Sequence, residues 1–137
     1  MDEPVGLSYC DHVWNRACEG GGDHPCAGDV ALAAVILFHG PANNGGVLHA
    51  TECLSAAQLE EARAGFRYYG FDLVADLLMQ AEKVIHLDSN IGSLETVFDH
   101  RYWKQISDDS VLTECFARHF QMHPTEYSPM LIDTEAR

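Results

Sequence analysis

Four side chains near the middle of the chain belong to types that bind metal ions: His39, His49, Glu52 and Cys53. His49 and Cys53 are four residues apart, so on a helix they would share one face, as paired zinc ligands do. A fourth zinc ligand is not evident, and the sequence has no His-Glu-x-x-His motif. We therefore predict no metal and no other cofactor, and a metal-dependent enzyme that uses these four residues is the least favoured function.

Nucleophilic catalysis also lacks a motif, because the chain has neither Gly-x-Ser-x-Gly nor Cys-x-x-Cys. Its five cysteines are odd in number and irregularly spaced, which indicates reduced thiols rather than a disulfide framework. The first residues show no signal-peptide pattern, and the longest apolar run, residues 31–38, is too short to span a bilayer. These observations predict a cytoplasmic protein without catalytic residues.

The strongest compositional feature is acidity, with 21 acidic and 8 basic residues among 137 and a net charge of -13. An apolar content of 47% is that of a folded domain, so a folded surface carries this charge. A field of this sign repels nucleic acid and anionic membranes and attracts cations. We predict a basic protein as the partner, with no direct nucleic-acid or membrane binding. The alternative is that the charge only maintains solubility.

The segment from residue 72 to residue 99 contains six acidic side chains and a single basic one, Lys83. Carboxylates at one-turn helical spacing could stand in for DNA phosphates, which advance about 3.4 Å per nucleotide along each strand. The alternative is a solvated set of helix faces and N-caps. The candidate partner-binding residues are Asp72, Asp76, Glu82, Asp88, Glu95, Asp99, Asp108 and Asp109.

Apolar residues at helical spacing predict an all-α fold, a compact bundle of six or seven short helices. It forms one domain over residues 1–137, with loosely ordered ends at 1–7 and 124–137. The apolar run predicts a buried helix that starts with Asp29 as its N-cap and ends at Gly40-Pro41.

Two further helix starts carry capping signals. Ser55 lies three residues before Gln58, which is typical of a capping box. The segment Asp108-Asp109-Ser110 is expected to cap the last helix.

The segment Asn43-Asn44-Gly45-Gly46 follows the buried helix and precedes a short helix predicted from Val47 to Leu54. We interpret it as a tight turn, because Asn and Gly adopt left-handed conformations and Gly permits close helix packing. A phosphate-binding loop is the less favoured alternative, since no Lys or Arg lies between Arg16 and Arg63.

Residues 29–84 resemble the bacterial DNA-mimic protein family, small helical proteins of largely unknown function. The shared features are Asn44-Gly45-Gly46, the buried helix before them, and the helix pair built around residues 65–70, Gly-Phe-Arg-Tyr-Tyr-Gly. The resemblance implies an all-α fold in which Asn44, Gly45 and Gly46 are fold determinants. For a DNA mimic it also implies a protein that occupies the basic DNA-binding surface of a regulator without performing chemistry.

Two hypotheses of function remain open beside the enzyme. The first is a non-catalytic acidic protein-binding module whose partner is a DNA-binding regulator. The second is an immunity-type or antitoxin-like inhibitor of a basic nuclease. Both a monomer and a homodimer are compatible with the sequence, because the aromatic stretch Tyr68-Tyr69-Phe71 can complete the core or line a dimer contact.

Overall fold

Seven α-helices follow one another in the computed structural model, which describes residues 3–87 and 92–129. They are α1 (Glu3–Cys18), α2 (Ala27–Gly45), α3 (Val47–Cys53), α4 (Ala56–Tyr68), α5 (Asp72–His86), α6 (Gly92–Gln105) and α7 (Asp109–Met122), and a short 3₁₀ turn follows at Pro124–Glu126. The described residues contain no strand. This confirms the predicted all-α bundle of six or seven helices.

Helix α2 is the central element, and it packs against α1, α3 and α4. Its inward-facing side chains, including Leu32, Val35 and Phe38, are almost completely buried. Gly65 of α4 lies directly against this helix, where a Cβ atom would come within 2.7 Å of the Ala31 carbonyl oxygen. The close approach of α2 and α4 therefore requires a glycine at this position.

The core has two parts. The larger cluster takes residues from each of the helices α2 through α7, and it contains Phe38 and Phe66 in an edge-to-face contact with ring centroids 6.1 Å apart. The smaller cluster joins α1, α2, α7 and the residue after the 3₁₀ turn through Val13, Leu32, Phe116 and Tyr127. Burial of both clusters supplies the main stabilisation of the bundle.

The bounds predicted for α2 were wrong at both ends. Cys26 is the N-cap, and Asp29 is the third helical residue, whose carboxylate reaches back to accept a hydrogen bond from the Cys26 amide at 3.0 Å. At the other end the helix continues through Pro41 to Gly45. A proline removes one helical hydrogen bond, and burial of Ala42 in the core holds this last turn in place.

The predicted Asn-Gly-Gly turn is confined to one residue. Asn43, Asn44 and Gly45 form the end of α2, and Gly46 alone has a positive φ, of 100°. Gly45 also packs closely, because a Cβ atom there would lie 2.5 Å from the His49 ring. The two glycines thus set the change of direction from α2 to α3.

Both remaining cap predictions are confirmed. The Ser55 hydroxyl accepts from the Gln58 amide at 3.1 Å, and the Gln58 side chain accepts from the Ser55 amide at 2.9 Å. Asp108 accepts from the Ser110 amide at 2.8 Å at the start of α7.

The loosely ordered ends expected at 1–7 and 124–137 stay a prediction, and the structure describes part of each end. Helix α1 already begins at Glu3. Tyr127 is buried, and the Ser128 amide donates to the Asp29 carboxylate, so these two residues pack on the bundle. None of the helices within 3–87 and 92–129 combines the length and apolarity needed to cross a bilayer.

Candidate functional site

Two of the predicted partner-binding carboxylates form ion pairs within the chain. Asp76 lies 3.3 Å from an Arg67 guanidinium nitrogen, and Glu82 lies 2.9 Å from one of Arg63. Both pairs connect α5 to α4. The negative charge of Asp76 and Glu82 is therefore partly neutralised within the chain itself.

Three more of these carboxylates support helix starts or a buried histidine. Asp99 of α6 accepts from the Val47 amide at 2.8 Å and so caps α3 from across the bundle. Hydrogen bonds from the Ser110 hydroxyl and amide lower the pKa of Asp108. Asp109 lies 2.7 Å from His39 Nε2.

The remaining members of the set differ in placement. Asp72 and Glu95 are exposed, and neither has an ion-pair partner among the described residues. Asp88 lies outside the described residues. The seven described carboxylates thus do not share one structural role, and a phosphate-like face formed by the set of eight stays a hypothesis.

Other exposed carboxylates carry much of the negative surface. In the described part of the chain, seven have no salt-bridge or hydrogen-bond partner: Asp11, Glu19, Asp23, Glu52, Glu60, Glu61 and Glu114. Meanwhile Arg16, Arg63 and Arg67 are held in ion pairs with acidic side chains. The surface is therefore left with an excess of uncompensated negative charge.

The four candidate metal ligands are divided between the interior and the surface. His39 is buried, and its ring nitrogens lie 2.7 Å from the Tyr102 hydroxyl and 2.7 Å from the Asp109 carboxylate. His49, Glu52 and Cys53 are exposed on α3, where Cys53 Sγ lies 3.5 Å from His49 Nε2. Within the described residues, no three His, Cys, Asp or Glu side chains are arranged to hold a metal ion.

A buried ionic network was not predicted from the sequence. Asp29 has no exposed surface, and its carboxylate accepts from Arg16 Nη2 at 2.7 Å and from the Ser128 amide at 2.6 Å. It also lies at the start of α2, where the helix dipole stabilises a negative charge. Neither partner is near Asp29 in sequence, so local patterns gave no signal for this network.

A cluster of aromatic side chains lies beside the buried ionic network of Asp29. The Tyr127 hydroxyl is 2.9 Å from the Tyr69 hydroxyl and 2.8 Å from His119 Nδ1, while the Tyr68 hydroxyl donates to the Glu126 carboxylate. Burial raises the pKa of Tyr69, raises that of Tyr127 to about 12, and lowers that of His119.

At neutral pH these groups are uncharged phenols and a neutral imidazole. They contact one another rather than an open cleft, which is the arrangement of a structural support. The Tyr68-Tyr69 pair was the only sequence signal for this cluster, because Tyr127 stands alone in a polar segment.

Comparison with known proteins gives no relative. No protein-family model matches the chain, and no curated protein and no solved structure matches it either. The fold and surface define a class only, an all-α bundle with an excess of exposed carboxylates.

Proposed function

We propose that this protein is a non-catalytic module that binds a basic surface of another protein. The observation that carries the proposal is the set of exposed carboxylates without partners among the described residues, alongside three arginines, Arg16, Arg63 and Arg67, that are held in ion pairs within the chain. Such a surface attracts a cationic partner over distances of about a Debye length, roughly 8 Å at physiological salt.

A DNA-binding regulator is the partner class that we favour, because residues 29–84 resemble the DNA-mimic family. In this role the carboxylates occupy positions that DNA phosphates would take on the regulator. The five free thiols fit a reducing compartment, so we place this activity in the cytoplasm. A basic nuclease offers a similar surface and is distinguished by the identity of the partner.

The test is capture of partners on the immobilised full-length protein, with elution by increasing salt and identification by mass spectrometry. We expect a basic DNA-binding protein that is released between low and high salt, because screening weakens exposed charge pairs. The purified partner is then bound to fluorescent duplex DNA, and addition of this protein should displace the DNA.

A variant that changes Asp72, Glu95 and Glu114 to the corresponding amides should bind the partner more weakly and with a shallower salt dependence. Asp76→Asn is the matched control, since this carboxylate is already paired with Arg67. Tight binding that is indifferent to salt would contradict the proposal. Capture of a nuclease whose activity is inhibited would instead support the second hypothesis.

A further inference from the structure

The outward face of α2 carries an apolar groove that the described part of the chain leaves open to solvent. Val30 and Leu37 are 48% and 45% exposed, although they belong to the central helix. With Ala33 and Pro41 they form a row at positions i, i+3, i+7 and i+11, and all four line the groove. At 1.5 Å per residue this row is about 16 Å long, the length of three helical turns.

On the side of α1, small residues line the groove: Ala17, Cys18 and Gly20. Glu61 of α4 lines the opposite side. Small residues along one wall let another backbone approach closely. The dimensions and the spacing match a helix that presents one apolar face, which is a common mode of recognition.

The acidic residues around the groove favour a bound helix that carries basic side chains. Among the described residues, Glu61 is the single charged one in the lining of the groove, and neither Lys nor Arg lines it. The exposed Glu19 and Glu60 adjoin lining residues in sequence. An acidic rim around an apolar floor is complementary to an apolar stripe flanked by basic side chains.

The helix backbone is altered at Pro41, one of the residues that line the groove. Pro41 has no N–H group, so it cannot donate the helical hydrogen bond to the carbonyl of Leu37, four residues earlier. A carbonyl oxygen without its helical donor is satisfied by water or by a donor from a partner. A Lys or Arg side chain of a docked helix supplies such a donor.

We propose that this groove binds an amphipathic helix of a basic partner protein. Apolar residues of that helix at i, i+3 or i+4, and i+7 pack on Val30, Ala33 and Leu37, while its Lys or Arg side chains face Glu19 and Glu61. The proposal rests on the function proposed above and adds the surface and the shape of the ligand. A second copy of this chain is disfavoured as the occupant, because two chains that each carry a net charge of -13 repel one another.

The probe for the test is a synthetic 14-residue peptide with Leu on one helical face and Lys elsewhere. A peptide of the same composition, with Leu distributed around the helix, is the control. Both are titrated into the isotopically labelled full-length protein, and amide chemical shifts are followed. We expect the amphipathic peptide to shift signals of Gly20, Ala33 and Leu37, and to bind more tightly than the control.

Substitutions locate the site independently. Leu37→Asp should raise the Kd about 10-fold or more, because it removes an apolar contact and adds a like charge to the acidic rim. Leu73→Asp is the matched control, since Leu73 is 64% exposed on α5 and does not line this groove. Glu61→Lys should weaken binding more than Glu114→Lys. Circular dichroism checks that each variant keeps its helical fold.

Equal binding by wild type and Leu37→Asp would overturn the groove as the site, and so would shifts confined to other helices. Salt-dependent binding of the basic partner would in that case persist, so the proposed function would survive the failure of this inference. A dimer in sedimentation experiments that Leu37→Asp dissociates would also overturn it, with a second copy as the occupant.

Discussion

The carboxylate of Asp29 accepts a hydrogen bond from the guanidinium of Arg16 at 2.7 Å, and the two residues tie α1 to α2. The other carboxylate oxygen accepts from the Ser128 amide. Three distant parts of the chain thus meet at one buried charge. Such a charge is tolerated because its hydrogen-bonding capacity is filled by an opposite charge and by amides.

Replacing Asp29 should therefore be costly. Asp29→Asn keeps the size of the side chain but leaves Arg16 without its counter-charge and turns an amide nitrogen toward a donor. We expect a loss of about 3 kcal/mol in the free energy of unfolding, measured by urea denaturation at pH 7. Asp76→Asn should cost less than about 1 kcal/mol, because that ion pair is exposed. Similar losses in the two variants would argue against this account.

The two glycines on either side of Pro41 should respond differently to alanine. Gly46 has φ of 100°, and a Cβ atom there would lie 2.9 Å from the Asp99 carboxylate, so Gly46→Ala should destabilise by about 2 kcal/mol. Gly40 is helical, but it precedes Pro41, whose ring disfavours the α conformation for a residue with a Cβ atom. The helix propensity gained with alanine, about 1 kcal/mol, offsets this strain, so Gly40→Ala should change the stability by less than about 1 kcal/mol. Thermal denaturation measures both. Equal losses in the two variants would contradict the assigned conformations.

Tyr102 should contribute through its hydroxyl as well as its ring. Tyr102→Phe keeps the ring contacts but removes the hydrogen bond to His39 Nδ1, which is then left buried without a partner. We expect a loss of about 1–2 kcal/mol in the free energy of unfolding.

The coupling between Tyr102 and His39 is checked by introducing His39→Leu into the wild type and into the Tyr102→Phe variant. Its cost should be smaller in the Tyr102→Phe protein, because the shared hydrogen bond is already lost. Additive losses would show that the two groups act independently.

His119 should make the stability depend on pH. Burial lowers its pKa below the ordinary value of 6.5, so the unfolded chain takes up this proton at a higher pH than the folded chain. Its contribution is therefore complete above about pH 6.5 and is lost as the pH falls through the folded pKa. Urea denaturation at pH 7.5 and 5.5 measures the change, which should be smaller in His119→Asn. An unchanged difference in that variant would assign the effect to other groups.

Local sequence signals predicted much of the fold. The helices, the capping box at Ser55 and the cap at Asp108 each depend on residues within four positions, and the structure confirms them. Asp29 was placed at a helix start correctly but in the wrong role. A carboxylate caps equally from the N-cap and from the third helical position, and the sequence does not distinguish the two.

The candidate site was less predictable. Spacing along α5 shows that Asp72 and Asp76 share a face, but it does not show that Arg67 of α4 neutralises one of them. Similarly, Tyr127 lies in a polar segment and is buried only because α1, α2 and α7 form a pocket for it. Contacts between distant segments decide which charges remain free, and a single sequence does not record them.

The hydrogen bond from Ser128 to Asp29 has a consequence for synthesis of the protein. The two residues are 99 positions apart, so α1 and α2 emerge from the ribosome long before the segment that completes their junction. At roughly 5–20 residues per second, this delay is about 5–20 s. During that time the smaller core cluster has neither Phe116 nor Tyr127, and the nascent chain exposes apolar surface to which chaperones can bind.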